Sequence, residues 1–375
     1  MKVKSVYVLF ACFFFLCLNS SCKTIIANAL TGEGSSTVFT GDPDPELVGD
    51  ALPFAIKIYE TLVESNPKHR GLLLFTGSLF VMYSNAFVQG PADMLPANEN
   101  KLQENEKNRA KKLYLRGLDL LYRGIEVKYK GFSLAAANAF TDEAAFENIL
   151  KKCKKEDTGF LYWAAAGGMA AYSIDQFDFD LNARIPEWKA MALRAYELNP
   201  DFGGASLDEF LFILYGSLPV SRGGDVKLAL EYYQKAMDKT QGKSASALIA
   251  LAEMISSPQT FADMINSSII FAEMVSSFDV NEERSGLFKE YLDKVTAIKS
   301  DDDNSSIALT EVIESYDVTE EQYELFKEYL EKALAINPDE DESSRLVTII
   351  NQRKARWLLD NAYINFSFLP FPDDY

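Results

Sequence analysis

His69 is the only histidine in the sequence, and it stands in the run Asn66-Pro67-Lys68-His69-Arg70 with no Asp, Glu or Cys beside it. General acid–base work by histidine needs a partner that fixes its proton, so His69 reads as a turn residue. Cys153 lies among Lys151, Lys152, Lys154 and Lys155. Neighbouring positive charge lowers a thiol pKa and makes a reactive thiol conceivable; a single unpaired surface thiol near a helix end is the plainer reading. The run Asp301-Asp302-Asp303-Asn304 invites a calcium loop, but Ser306 stands where that loop needs Gly and Val312 where it needs Glu. No Gly-rich phosphate loop and no Cys/His metal spacing occurs. The chain therefore reads as a non-enzyme, with no cofactor and no metal.

What remains is recognition chemistry. Tyr83, Asn85, Phe87 and Gln89 lie in one apolar stretch, and Tyr162 and Trp163 open another. Rings with a few amides among them are what line small-ligand grooves, and these six are the candidate ligand-binding residues. Ordinary core packing is the alternative for each taken singly. The formal net charge of −18 repels phosphate backbones and excludes nucleic acid as a partner.

The segment that must position the first group runs from Gly71 to Pro96. From Leu72 to Val88 it is apolar on almost every face, and a helix of that kind is buried either in lipid or in a large core. Its length suffices for a bilayer. Asn85 and Gln89 speak against lipid, where an amide needs a partner, and Gly90-Pro91 and Pro96 are expected to end the helix. The reading is a central helix sheathed by others. The second group belongs to Gly159–Ile174, whose alanines and glycines suit close helix contact.

Residues 1–21 read as a secretory signal: Lys2 and Lys4, then apolar Val6 to Leu18, then Ser20 and Ser21. Cys22 directly afterwards resembles the cysteine of a lipoprotein signal, with Asn19 where leucine is usual, so Cys22 is the expected lipidation site. Each buried acyl CH₂ would contribute about 0.8 kcal/mol to anchoring. Residues 22–44 follow as a flexible tether, on the strength of Thr31-Gly32-Glu33-Gly34-Ser35-Ser36. Residues 45–369 are expected to form a single helical domain.

Along that domain, Val48, Ala51, Leu52, Ala55, Ile56, Tyr59, Leu62 and Val63 recur at helical spacing, and Asn66-Pro67 stops the helix. Ala97 to Lys112 is charged and reads as a long loop or an exposed helical lead-in. Leu113 to Tyr129 returns to helix, and 131–150 is a further helix broken near Phe140–Glu143. Three helices end alike, with LVESNP at 62–67, YELNPD at 196–201 and LAINPD at 334–339. That ending fits paired-helix repeats of the tetratricopeptide (TPR) kind. A second repeat relates 267–298 to 305–336, SSIIFAEMVSSFDV against SSIALTEVIESYDV, at an offset of 305 − 267 = 38 residues. It reads as a duplicated helix pair.

The run GDALPFAIKIYETLVESNP and above all VMYSNAFVQGPA resemble the T component associated with TRAP transporters, and the likeness covers most of the chain. The resemblance implies an all-α, TPR-like helix-pair array around a buried central helix. It further implies a periplasmic lipoprotein held at the inner or outer membrane, a homotrimer, and association with the TRAP solute receptor, the P subunit. A small hydrophobic ligand belongs to the same expectation. The alternative is an envelope lipoprotein scaffold with no ligand of its own.

Overall fold

A computed structural model describes residues 37–257, 260, 261, 264 and 318–369. The expected signal segment, Cys22, the first part of the tether and the calcium-like run lie outside the described residues. So do the first copy of the 38-residue repeat and the second copy up to residue 317. Among the described residues every regular element is helical, as the all-α expectation requires. They fall into two compact units: residues up to 200 with 338–347, and residues 201–337 with those from 348 onward.

The first unit opens with α1 (Thr37–Thr40), a single turn inside the expected tether. Arg345 Nη1 donates to the Gly41 carbonyl at 2.8 Å and fixes the chain there. Helix α2 (Pro45–Ser65) starts where Asp44 accepts the Leu47 N–H at 3.0 Å and proline occupies the first turn. Of the stripe read from spacing it buries Val48, Leu52, Ile56, Tyr59 and Val63, while Ala51 is exposed and Ala55 and Leu62 are half-buried. Asn66 caps its end, as expected for a residue before proline.

Helix α3 (Arg70–Ser84) has His69 at its N-cap, where Nδ1 accepts the Leu72 N–H at 3.0 Å. The lone histidine thus closes a helix end. The segment Arg70–Asp93 is long and apolar enough to cross a bilayer. In the fold, Leu72, Leu73, Leu79, Phe80 and Val81 are nevertheless buried, against α2 and the two helices introduced next.

Those are α5 (Asn100–Lys128) and α8 (Thr158–Ile174); the one-turn α4 (Gly90–Asp93) precedes α5. The charged stretch 97–112 is therefore helix from Asn100 onward, and the loop alternative for it fails. Its apolar face is thin because only Ala110 and Tyr114 of its first half are buried. Helices α3 and α5 cross at two glycines. A Cβ on Gly77 would stand 3.0 Å from the Gly117 carbonyl oxygen, and one on Gly117 2.8 Å from that of Gly77. Only a residue without a side chain permits that approach.

Helices α6 (Phe132–Ala137) and α7 (Glu143–Leu150) are separated at the expected break, with Asp142 capping α7. After α8 come α9 (Phe179–Ala183) and α10 (Ile185–Leu198). Helix α10 packs on α8, with Trp188 fully buried against Gly168. Glu187, also fully buried, receives two hydrogen bonds from Arg184 at 2.9 and 3.0 Å. Arg184 also donates to the Tyr122 hydroxyl.

Cys153 is fully buried, which corrects the surface-thiol reading. The neighbouring lysines are exposed while the cysteine turns inward beneath α7, its Sγ 3.9 Å from the Ile149 carbonyl. Burial pushes its pKa up to about 11, so the lysine-activated alternative fails as well.

In the second unit α11 (Ser206–Ser217) pairs with α12 (Val226–Lys239), and α13 (Ala245–Ser256) with α14 (Val318–Ala335). Asp208, fully buried in the first turn of α11, is met by Lys239 Nζ at 2.6 Å. Ser244 caps α13 through the Ala247 N–H and donates to Glu209 at 2.6 Å. The last helix is α15 (Arg345–Asp360). Its Gln352 side chain donates to the carbonyls of Ala333, Leu334 and Ile336, which satisfies orphan acceptors at the end of α14.

Candidate functional site

The motif VMYSNAFVQGPA forms a backbone irregularity. Residues Asn85–Gln89 wind as one π turn between α3 and α4, and the Gly90 N–H reaches back to the Asn85 carbonyl. Pro91 occupies the first turn of α4. In an unbroken α-helix the Pro91 ring would strike the carbonyl of Phe87 and leave it without a donor. The wider π turn absorbs that conflict. Gly90-Pro91 therefore does not end the helix, as the sequence reading had it; the chain stays helical to Asp93 and turns at Met94.

The π turn decides which candidates meet. Tyr83 and Phe87 stack, ring centroids 6.0 Å apart and 25° between planes. Tyr83 is buried at 9% exposure while Phe87 is half-buried. The far side of Phe87 lies on α2 at Gly49, where a Cβ would come within 2.8 Å of the ring. Pro53, inside α2, supplies no N–H to the carbonyl of Gly49 four residues earlier. Gln89 accepts from the Tyr114 hydroxyl at 2.8 Å. Burial raises the Tyr114 pKa, so that hydroxyl stays a neutral donor. Asn85 is exposed.

Helix α5 supplies the other wall. Arg109 donates to the Tyr83 hydroxyl at 3.2 Å, with its guanidinium 5.8 Å from the ring centroid. Arg116 lies 5.1 Å over Phe80 and pairs with Glu60 of α2. A cleft of about 610 Å³ lies on the face of α5 itself, lined by Asn105, Asn108, Arg109, Lys112, Leu113 and Arg116; none of Tyr83, Asn85, Phe87 and Gln89 lines it. Spacings of three and four residues put these on one helical face. The sequence reading does not single out Arg109, which lies in the charged run 97–112, nor Tyr114 and Arg116, which lie in the expected helix from Leu113 but face a partner helix that no local pattern shows.

Tyr162 and Trp163 form a pair of their own, edge to face at 5.0 Å and half-buried. They do not join the first cluster. Arg70 stacks on Phe160 and Gly167 receives Val81, so α3 and α8 run parallel. Tyr162 and Trp163 stand level with the first half of α3, whereas Tyr83 is in its last turn and Asn85–Gln89 follow its end.

The most heavily paired charge is elsewhere. Asp157 is fully buried and accepts from Arg70, from Lys128 at 2.8 Å, from the Tyr129 hydroxyl at 2.6 Å and from the Lys154 N–H at 2.8 Å. Burial alone would raise its carboxyl; the four hydrogen bonds overcome it and hold the pKa at about 2. With three donors on Oδ2, Arg70 on Oδ1 and no exposure to solvent, this group joins the ends of α3, α5 and α8. Among the described residues no cluster of three or more His, Cys, Asp or Glu could hold a metal ion. The geometry of the Tyr83 region suits binding: an apolar body on the rings, a polar end toward Arg109 and the amides.

Comparison with known proteins gives two findings. The family model described as TRAP transporter T-component matches residues 41–314 and 296–366, the two matches overlapping inside the region of the 38-residue repeat. A Treponema pallidum (strain Nichols) protein described as uncharacterized is 35% identical over 192 residues, covering 51% of this chain. The match spans 59% of that relative's length.

Proposed function

The chain belongs to the TRAP transporter T-component family, and from that premise we propose that it is a membrane-tethered, TPR-like adaptor in the periplasm. It is not an enzyme on this reading. Cys22 carries the lipid anchor, in the inner or outer membrane. The chain assembles as a homotrimer and docks on the P subunit, the solute receptor of its transport system. Residues Tyr83, Asn85, Phe87 and Gln89 hold a small hydrophobic ligand, and Tyr162 and Trp163 form a second, separate aromatic contact for it.

The observation that carries the ligand reading is the stacked Tyr83–Phe87 pair at the π turn. One ring is buried and backed by Arg109, the other half-open. π turns cluster at functional sites because they hold side chains where an α-helix would not. Native mass spectrometry of the purified protein tests it. A co-purifying small molecule that Phe87→Ala displaces supports the reading; an empty protein, or a ligand indifferent to Phe87→Ala, removes it. Binding to the purified P subunit, measured by titration calorimetry, tests the adaptor role independently.

A further inference from the structure

Phe177 and Phe179 are the two most exposed large apolar side chains among the described residues, at 99% and 84%. They stand in Asp175-Gln176-Phe177-Asp178-Phe179-Asp180, which joins α8 to α9. Single exposed apolar side chains are ordinary. Two rings in six residues, on a braced frame, are not.

The bracing is specific. Lys111 of α5 holds Asp175 at 2.8 Å and Asp178 at 2.7 Å. The other oxygen of Asp178 accepts the N–H groups of Asp180 and Leu181 at 3.0 and 3.1 Å. Asn182 Nδ2 donates to the carbonyls of Gln176 and Asp178. A segment fixed in this way loses little further freedom when a partner arrives, which is how preorganised loops gain affinity. Aromatic side chains are the commonest anchors in protein interfaces.

Charge narrows the partner. Three carboxylates against one ammonium leave the tip at −2, so a membrane with anionic headgroups repels it. The homotrimer contact proposed above is a different surface on this reading, and the self-association arm of the test below separates the two. In a second copy of the chain the arginines of the α5 cleft are already matched by Glu106 and Glu60. A different protein, with an apolar pocket rimmed by Lys or Arg, fits both the rings and the acids. We propose that residues 175–180 are a preformed docking tip for the solute receptor, seating Phe177 and Phe179 in such a pocket. This rests on the receptor association proposed above.

The test uses the secreted chain carrying Cys22→Ser, which has no acyl group, and the purified receptor in titration calorimetry. Phe177→Ala with Phe179→Ala is expected to weaken binding at least about 10-fold, with circular dichroism unchanged. Phe140→Ala, which removes an exposed ring elsewhere, should leave binding unaltered. Added salt should weaken the wild-type complex, and Asp180→Asn should slow its association. Wild-type binding that survives the double substitution overturns this assignment alone. No binding by the wild type overturns both it and the receptor reading. Two other results also overturn it. One is flotation with phosphatidylglycerol–phosphatidylcholine vesicles that the double variant loses. The other is loss of self-association by the double variant with receptor affinity intact.

Discussion

Arg70, at the start of α3, and Asp157, just before α8, meet across 87 residues of sequence. The same guanidinium donates to the Gly124 carbonyl of α5 at 3.0 Å and lies 4.7 Å from the centre of the Phe160 ring. One arginine thus ties together α3, α5 and α8, and it does so through a carboxylate that water does not reach.

Acid stability follows from that pairing. The Asp157 pKa in the fold, about 2, lies below the ordinary carboxylate value, so its contribution is full above pH 4 and fades as pH falls through 2. The shift corresponds to about 2 kcal/mol at neutral pH. Asp157→Asn should cost at least that much, and up to about 5 kcal/mol if the remaining cations are left unpaired. Urea unfolding at pH 7 measures the loss. A repeat between pH 4 and pH 2 should show that the variant's stability falls less steeply than the wild type's; parallel curves would remove Asp157 as the source.

Gly77 tests the crossing of α3 and α5. A methyl there would stand 2.7 Å from Leu121 Cγ as well as 3.0 Å from the Gly117 oxygen. On an exposed helix Gly→Ala stabilises by about 1 kcal/mol. Here overpacking should reverse the sign, and Gly77→Ala should cost about 1–3 kcal/mol. A thermal melt above that of the wild type would mean that the helices have room to part.

Cys153 gives a chemical readout of the fold. Its pKa near 11 and its full burial leave almost no thiolate at pH 8. In the Cys22→Ser chain, once the signal segment is removed, it is the remaining cysteine. A disulfide reagent should label it at the rate of unfolding and rapidly in denaturant. Rapid labelling of the native protein would place the thiol at the surface after all.

Tyr114→Phe separates support from shape. It deletes the donor to Gln89 and keeps the buried ring. Stability should fall by about 1 kcal/mol, with helical content unchanged. If the amide orients a ligand, occupancy in native mass spectra should fall as well. Undiminished occupancy would confine Gln89 to a structural role.

Much of this fold is legible in the residues. The stripe in α2, the stop at Asn66-Pro67, the break before Glu143 and the apolar α8 all follow from local pattern, because each depends on neighbours within a turn or two. The misreadings share a cause in distance. Lys151 to Lys155 look like a solvated run, yet Cys153 among them points into the core and Asp157 just beyond gathers cations from α3 and α5. Of the two readings of 97–112, the exposed helical lead-in holds from Asn100 onward; the loop is the other because that helix presents a polar face and buries little. The site was half visible: Tyr83, Phe87 and Gln89 are in the motif, while Arg109 and Tyr114, which fix them, arrive from another helix.

The π turn has one more consequence. Because it holds an extra residue within a single winding, it sets the angular phase of everything after it: Gly90, Pro91 and Asp93, which pairs with Lys107 at 2.9 Å. Loss of any one residue from 85–89 would leave composition and hydropathy almost untouched yet turn that winding back into an α turn, in which the Pro91 ring strikes the carbonyl four residues before it. The segment therefore behaves like a gear tooth, tolerant of substitution in kind and intolerant of a change in number.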